Sequence, residues 1–242
     1  MRIVLGLVVF WGSWAVANPV RAGEAEDLVD QAIKAHGGTE ALTRAQTALV
    51  TSTVTRFVGT KSTSFKAEAA MVLPDRWRSA CYHEGKVVAT FAINGDRGWT
   101  SNPGPPQEMG KELLAEARNE AYVMWLATLV PLKGPGIKLK TTNEIKVADK
   151  EAVGILVTRT GWPNVRVYFD KKTHLLVKID RFAKDAGEKV HKEHFYSDHK
   201  TFDGVVLPTR EEVRIEDSKR TEESGREYKF PRTIDENQFK RP

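Results

Sequence analysis

The chain has 242 residues, 40% of them hydrophobic and 29% charged, with a formal net charge of +5. That length suits one β-rich domain with a sizeable core, and so mild and interleaved a charge excludes a nucleic-acid footprint. The single cysteine, Cys81, excludes an internal disulfide.

Met1-Arg2 is a short positive region, Ile3 to Val16 an apolar one, and Val20-Arg21-Ala22 offers small residues at a cleavage position, with Ala15-Val16-Ala17 as a competing site. Residues 1–22 therefore read as a cleavable signal peptide and residues 23–242 as a single domain. Cleavage after Ala22 leaves 35 basic against 32 acidic residues. The apolar run is shorter than the ~20 residues of a spanning helix, and the mature chain offers no other transmembrane segment. No cysteine near the cleavage site permits lipid attachment. The expected location is the periplasm, or outside the cell.

Leu28, Val29, Ala32 and Ile33 form an amphipathic stripe that predicts a helix over Glu24 to Ala35. His36-Gly37-Gly38 ends it, and Thr39 is placed to cap a second short helix reaching about Ala45. Strands follow. Thr47 to Val58 is the first, and Phe65, Ala67, Ala69, Met71 and Leu73 alternate along a second that Pro74-Asp75 stops. Arg76 to His83 and Val87 to Ile93 come next, and the turn Asn94-Gly95-Asp96-Arg97-Gly98 delivers Trp99 into another strand.

Three prolines between Ser101 and Gln107 break the sheet. The period then changes: Leu114, Ala117, Ala121, Met124 or Trp125, and Thr128 recur at helical spacing over Lys111 to Val130. This helix is unusually apolar after Glu120, so it must be buried against something. Strands return at Ile137 to Lys140, Asn143 to Val147 and Ala152 to Arg159. A meander follows over Asn164 to Pro208, where Val165, Val167 and Phe169 alternate and then Leu175, Val177 and Ile179. Thr209 to Ile215 and Arg220 to Phe230 finish the sheet, and Phe239 in the tail is placed to dock on it. The sum is about ten or eleven strands, with helices only at the start and middle.

Chemistry is sparse. His191, His194, Asp198 and His199 are the densest cluster of metal-binding types. In a strand, however, His191 and His194 point to opposite faces, as do Asp198 and His199, so they read as solvated polar residues. Cys81 and His83 share a face without a third orienting group, a weak basis for a hydrolase. Glu211-Glu212 and Glu222-Glu223 are adjacent pairs that read as solvated edges, in a stretch, Arg210 to Arg226, that suits an exposed face of cross-strand ion pairs. No nucleophile elbow, HExxH helix, phosphate loop or CxxC pair occurs. What remains is apolar surface: Trp77, Trp99, Leu114, Met124, Trp125 and Leu129 are the candidate lining of a cavity, because one helix does not easily fill a sheet large enough to curl.

AHGG at 35–38, NGDRGW at 94–99, YFDKKTHLL at 168–176, FYSDHKTFDGVVLPT at 195–209 and the closing PRTIDENQFKRP together resemble the LolA-like outer-membrane lipoprotein carrier and sorting superfamily. The resemblance implies an α+β fold: a large, strongly curved antiparallel sheet forming an incomplete β-barrel, with helices covering the open side. It implies an exported lipid- or lipoprotein-binding protein that holds acyl chains in its concave cavity and carries them toward the outer membrane. The alternative is an envelope sensor or interaction domain whose barrel is filled by its own side chains. Expected partners are an acyl chain, lipid or lipoprotein, with envelope membrane proteins as further contacts. No nucleic acid, cofactor, metal or catalytic activity is expected, and the chain is expected to be a monomer.

Overall fold

In the computed structural model the residues described are 23–241, apart from 103 and 186; the predicted signal peptide at 1–22 lies outside them. Two helices, α1 (Glu24–Ala35) and α2 (Thr39–Arg44), precede six strands: β1 (Thr47–Val58), β2 (Lys61–Val72), β3 (Arg76–His83), β4 (Lys86–Asn94), β5 (Arg97–Ser101) and β6 (Gln107–Glu108). Helix α3 (Lys111–Ala127) and a 3-10 turn at Val130–Lys133 interrupt the strands. Seven more follow: β7 (Ile137–Val147), β8 (Lys150–Arg159), β9 (Val165–Asp170), β10 (Leu176–Asp185), β11 (Glu188–Phe202), β12 (Val205–Ile215) and β13 (Ser218–Lys229). A 3-10 turn at Glu236–Phe239 follows them.

All thirteen strands form one antiparallel sheet in the order β6-β5-β4-β3-β2-β1-β13-β12-β11-β10-β9-β8-β7. The chain runs as a meander from the middle to one edge, crosses to the opposite edge, and returns to the middle, where β13 pairs with β1. The crossing is α3. Edges β6 and β7 do not pair, so the barrel is open. Its curvature follows from two contacts of one helix. Ala117 and Ala121 pack with Ile93 of β4, while Glu116 and Glu120 bond Arg181 of β10. Those strands are seven places apart, roughly 34 Å in a flat sheet, yet both meet a helix about 10–12 Å across.

The main core lies between the helices and one flank of the concave face. Tyr122, Val123 and Leu126 of α3, with Val29 and Ile33 of α1 and Leu42 of α2, pack on Ile155, Val165, Val167, Phe169 and Ile179. Each large side chain so buried stabilises the fold by about 1.5–3 kcal/mol. A smaller cluster under the first half of α3 gathers Ile93, Met109, Ala117 and Ala121. On the convex face the tail lays Ile234 and Phe239 over Ala70 of β2, with Arg76 of β3 stacked 5.5 Å from the Phe239 ring.

Local details depart from the sequence reading for identifiable reasons. There are thirteen strands rather than ten or eleven, because short β6 and the returning segments each find an antiparallel partner. The two segments expected at 137–140 and 143–147 are one strand with a register shift between Thr142 and Ile145. Helix α3 stops at Ala127, since Leu129 adopts φ 63 before Pro131. Gly38, not Thr39, occupies the N-cap of α2. In β10 a bulge between Leu176 and Lys178 turns Leu176, rather than Leu175 or Val177, into the core beside Ile179.

Two of the quoted motifs meet in space. Gly37 (φ 104) runs so close to Gly204 that a Cβ there would lie 2.0 Å from the Gly204 carbonyl oxygen. The His36 carbonyl accepts from the Val206 N–H at 3.1 Å. The His36 ring donates from Nδ1 to Ala32 O at 2.9 Å and accepts at Nε2 from the Leu176 N–H at 3.3 Å. Burial pushes this imidazole down to about 4, so it stays neutral. AHGG thereby docks the helical end of the chain onto the β11–β12 turn.

Candidate functional site

Between the two concave clusters the sheet is left uncovered from within. Here the inward positions of β1 and β2 are small: Ala48, Val50, Ser52, Ala67 and Ala69. Side chains of that size cannot reach α3, and a cavity of about 430 Å³ remains beneath the helix, within the roughly 300–1,000 Å³ typical of small-molecule sites. The lining is buried at Ala48 and Leu73, half-exposed at Val54 and Ile215, and exposed at Arg220. The cavity therefore opens toward the hairpin ends of β1–β2 and β12–β13.

Its two walls differ in chemistry. Strands β1, β2 and β3 present alanine, valine, Met71 and Trp77, and α3 adds Val123 and Met124. Strands β11, β12 and β13 present Lys192, His194, Glu211, Glu223 and Arg226, with Glu120 of α3 above them. Arg226 bonds both Glu211 and Glu223, Ser52 Oγ donates to Glu223 at 2.6 Å, and His194 Nδ1 lies 2.7 Å from Glu211. Lys192 Nζ donates to Glu120 at 2.6 Å, and the wholly buried Arg181 holds both Glu116 and Glu120. Burial alone would raise the carboxyls of Glu120 and Glu211, but the cations outweigh it. Lys192, His194 and Arg181 hold Glu120 down at about 2, and Arg226 with His194 holds Glu211 well below the usual range.

Of the six candidate lining residues, Trp77 and Met124 border the cavity. Leu114 packs with them on the cluster under the first half of α3. Trp99 is buried on β5, beneath the Arg97 guanidinium at 5.1 Å. Trp125 leans on the main core with Arg159 5.4 Å from its ring, and Leu129 is wholly buried there.

The remaining constellations resolve into structure. His191 faces the convex side with Asp180 and Glu193, near enough to suggest a metal trio. Arg166 already bonds Asp180 at 2.5 Å and Lys178 bonds Glu193 at 2.6 Å, so the charges are satisfied. His194 is not solvated: it is 5% exposed and inside the cavity wall. His199 donates from Nε2 to the Leu176 carbonyl at 3.0 Å, beside His36. Cys81 keeps its proton, burial pushing the thiol up, and His83 meets the Phe65 ring edge-on instead. Glu211, Glu223 and Arg226 are likewise inward and paired, whereas Glu212 and Glu222 form the expected outer ion pairs with Arg214, Arg210 and Lys219. One acid of each adjacent pair faces each way, and strand parity alone does not say which face is enclosed.

No family model matches the chain, and no curated protein matches it. Solved structures do. A LolA-superfamily protein from Nitrosomonas europaea superposes with a TM-score of 0.56 at 10% identity, over 89% of this chain and 97% of that one. A domain assigned to an outer-membrane lipoprotein-sorting protein from Vibrio parahaemolyticus gives 0.56 at 13% identity, with the same coverage. A DUF1329-family protein from Desulfovibrio piger gives 0.59 at 14% identity, again over 89% and 97%. At such identities the likeness is one of fold: this chain has the fold that these three structures share.

Proposed function

We propose that this chain is an exported, non-enzymatic binding protein of the periplasm whose cavity shelters an acyl chain of a lipid or lipoprotein. The observation that carries the reading is the space of about 430 Å³ between α3 and a wall of small apolar side chains. Burying alkyl surface there contributes about 0.8 kcal/mol per CH₂. An interaction domain with a filled barrel has no need of such a volume. The shared fold with a LolA-superfamily protein and a lipoprotein-sorting domain supports the same reading. Among the described residues no helix is long and apolar enough to cross a membrane, and the leader-like residues 1–22 account for export.

The test is native mass spectrometry of the protein purified without detergent, with uptake of an uncharged fluorescent alkyl probe. Met124→Asp sets an unpaired carboxylate on the cavity roof, and Ala69→Phe fills the space from the sheet. Both variants are expected to melt near the wild type and to lose uptake. Undiminished uptake by both would remove the cavity from the function.

A further inference from the structure

The cavity is graded along its length. Its floor lies at the C-terminal end of α3, where Ala45, Ala48, Leu73 and Thr128 are buried. Two hydrogen bonds close that end: Gln46 Nε2 donates to Thr128 Oγ1 at 3.3 Å, and the Leu73 N–H donates to the Gln46 carbonyl at 2.9 Å. Nearer the mouth the lining turns polar. Val54 pairs in register with Glu223, and Glu223 with Glu211. His194 and Lys192 lie further out, opposite Val213 and Ile215. Val50, on the floor side, pairs instead with Tyr228. An alkyl tail therefore suits the floor and a polar group the mouth, so an amphiphile enters tail first.

The dimensions decide how much alkyl chain fits. From Ala48 at the floor to Val54 toward the mouth, β1 rises about 20 Å. The volume of about 430 Å³ spread over that length leaves a cross-section of roughly 21 Å². A cavity of about 150 Å³ accepts benzene, so a packed carbon takes roughly 25 Å³. An extended alkyl chain advances no more than its bond length of ~1.5 Å per carbon, which gives it a cross-section of at least about 17 Å². One chain fits; two side by side need at least about 34 Å² and do not. Length calls for about 13 carbons or more to reach the floor, and volume limits the contents to about 17.

We infer that the cavity is a single-tail site that gauges length: it admits one alkyl tail of about 13–17 carbons, and its ligands are monoacyl amphiphiles. This deepens the acyl-binding reading and rests on it. Carbons beyond the limit stay at the mouth among water and ion pairs, and a second tail stays outside. Neither adds to the burial that drives binding. Ala48, 1% exposed on the inner face of β1, sets the gauge, because a longer side chain there occupies space that the end of the tail would fill.

The experiment measures displacement of the uncharged alkyl probe by 1-monoacylglycerols from octanoyl to eicosanoyl, each below its aggregation limit. Affinity is expected to rise about fourfold per added CH₂ and to level off between about 13 and 17 carbons. Native mass spectrometry should count one 1-monopalmitoylglycerol per protein, and 1,2-dipalmitoylglycerol should bind within about threefold of it. Ala48→Leu adds three carbons at the floor and is expected to bring the plateau about three carbons shorter. The single-tail gauge is overturned, while the acyl site stands, by an affinity still climbing from stearoyl to eicosanoyl or by a plateau at dodecanoyl or below. A second bound monoglyceride, a gain of about tenfold or more from the second palmitoyl tail, or an unmoved plateau in Ala48→Leu does the same. Displacement by none of the ligands overturns both readings together.

Discussion

Arg226→Met offers the sharpest probe of the charged wall. The native side chain is 12% exposed and lies between Glu211 and Glu223, which are 15% and 26% exposed. Methionine keeps much of the volume and removes the charge. The two carboxylates then share one histidine and the Ser52 hydroxyl, and breaking such a pair from one side costs about 3–5 kcal/mol. For a domain of this size that lowers the melting temperature by roughly 6–20 °C. The pH dependence carries a signature that lost packing would not. In the wild type the Glu211 carboxyl is depressed, so its contribution is present above the unfolded value near ~4.3 and is lost as pH falls toward the folded one. In the variant the same carboxyl, buried without its guanidinium, is raised, so the folded state takes up protons first and gains stability as pH falls. Urea melts at pH 7.5 and 5 should therefore show a penalty that shrinks on acidification. Adding Glu211→Gln and Glu223→Gln to Arg226→Met should restore at least half of the loss. A penalty below about 1 kcal/mol, or one independent of pH and not rescued, refutes the reasoning.

Two further outcomes test the docking of the helical end of the chain. Because burial holds His36 near 4 while the unfolded ring titrates near ~6.5, the unfolded chain binds the proton first, and stability declines as pH drops from about 6.5 toward 4. The loss amounts to at most about 3 kcal/mol, and urea melts of His36→Asn should show a flatter profile across that window; an unchanged slope would count against a neutral, buried His36. Gly37→Ala should destabilise by more than about 2 kcal/mol, since its Cβ meets the Gly204 carbonyl at 2.0 Å. Gly38→Ala, with φ 90 but nothing within 4 Å, should cost only the backbone strain of about 1 kcal/mol, and equal penalties by thermal melting would contradict the close approach at Gly37.

Much of the architecture was legible because its signals are local. The stripe Leu28-Val29-Ala32-Ile33 gives the bounds of α1, and the alternation Val165-Val167-Phe169 gives the inward face of β9. Where a bulge intervenes, period two misleads: Leu176 faces the core although Leu175, Val177 and Ile179 carry the pattern. The site was harder to read because large apolar residues mark burial, not space. Leu129 and Trp125 were drawn into the main core by the same hydrophobicity that made them candidates. The cavity is bordered by alanines at 48, 67 and 69, whose small size creates it. Its polar wall hides among surface-like acids and bases, because alternation sends Glu212 and Glu222 outward and Glu211 and Glu223 inward with no difference in residue type.

The pairing of the first strand with the last has a consequence for how the polypeptide acquires its shape. Residues such as Val50 and Tyr228 face each other at the centre of the sheet, while the other ten large strand pairings and the small β5–β6 pair join neighbours in the chain. A chain made from its N-terminus completes the β1–β6 half and still carries an open central edge on β1 until β13 arrives, some 170 residues later. The helical crossing and the second meander are made during that wait. Of the strand pairings, this seam has the greatest loop-closure cost and forms only when nearly the whole chain is present. Until then the longest unpaired edge belongs to the strand that borders the cavity, and an intermediate at that stage is the one most in need of protection from edge-to-edge association.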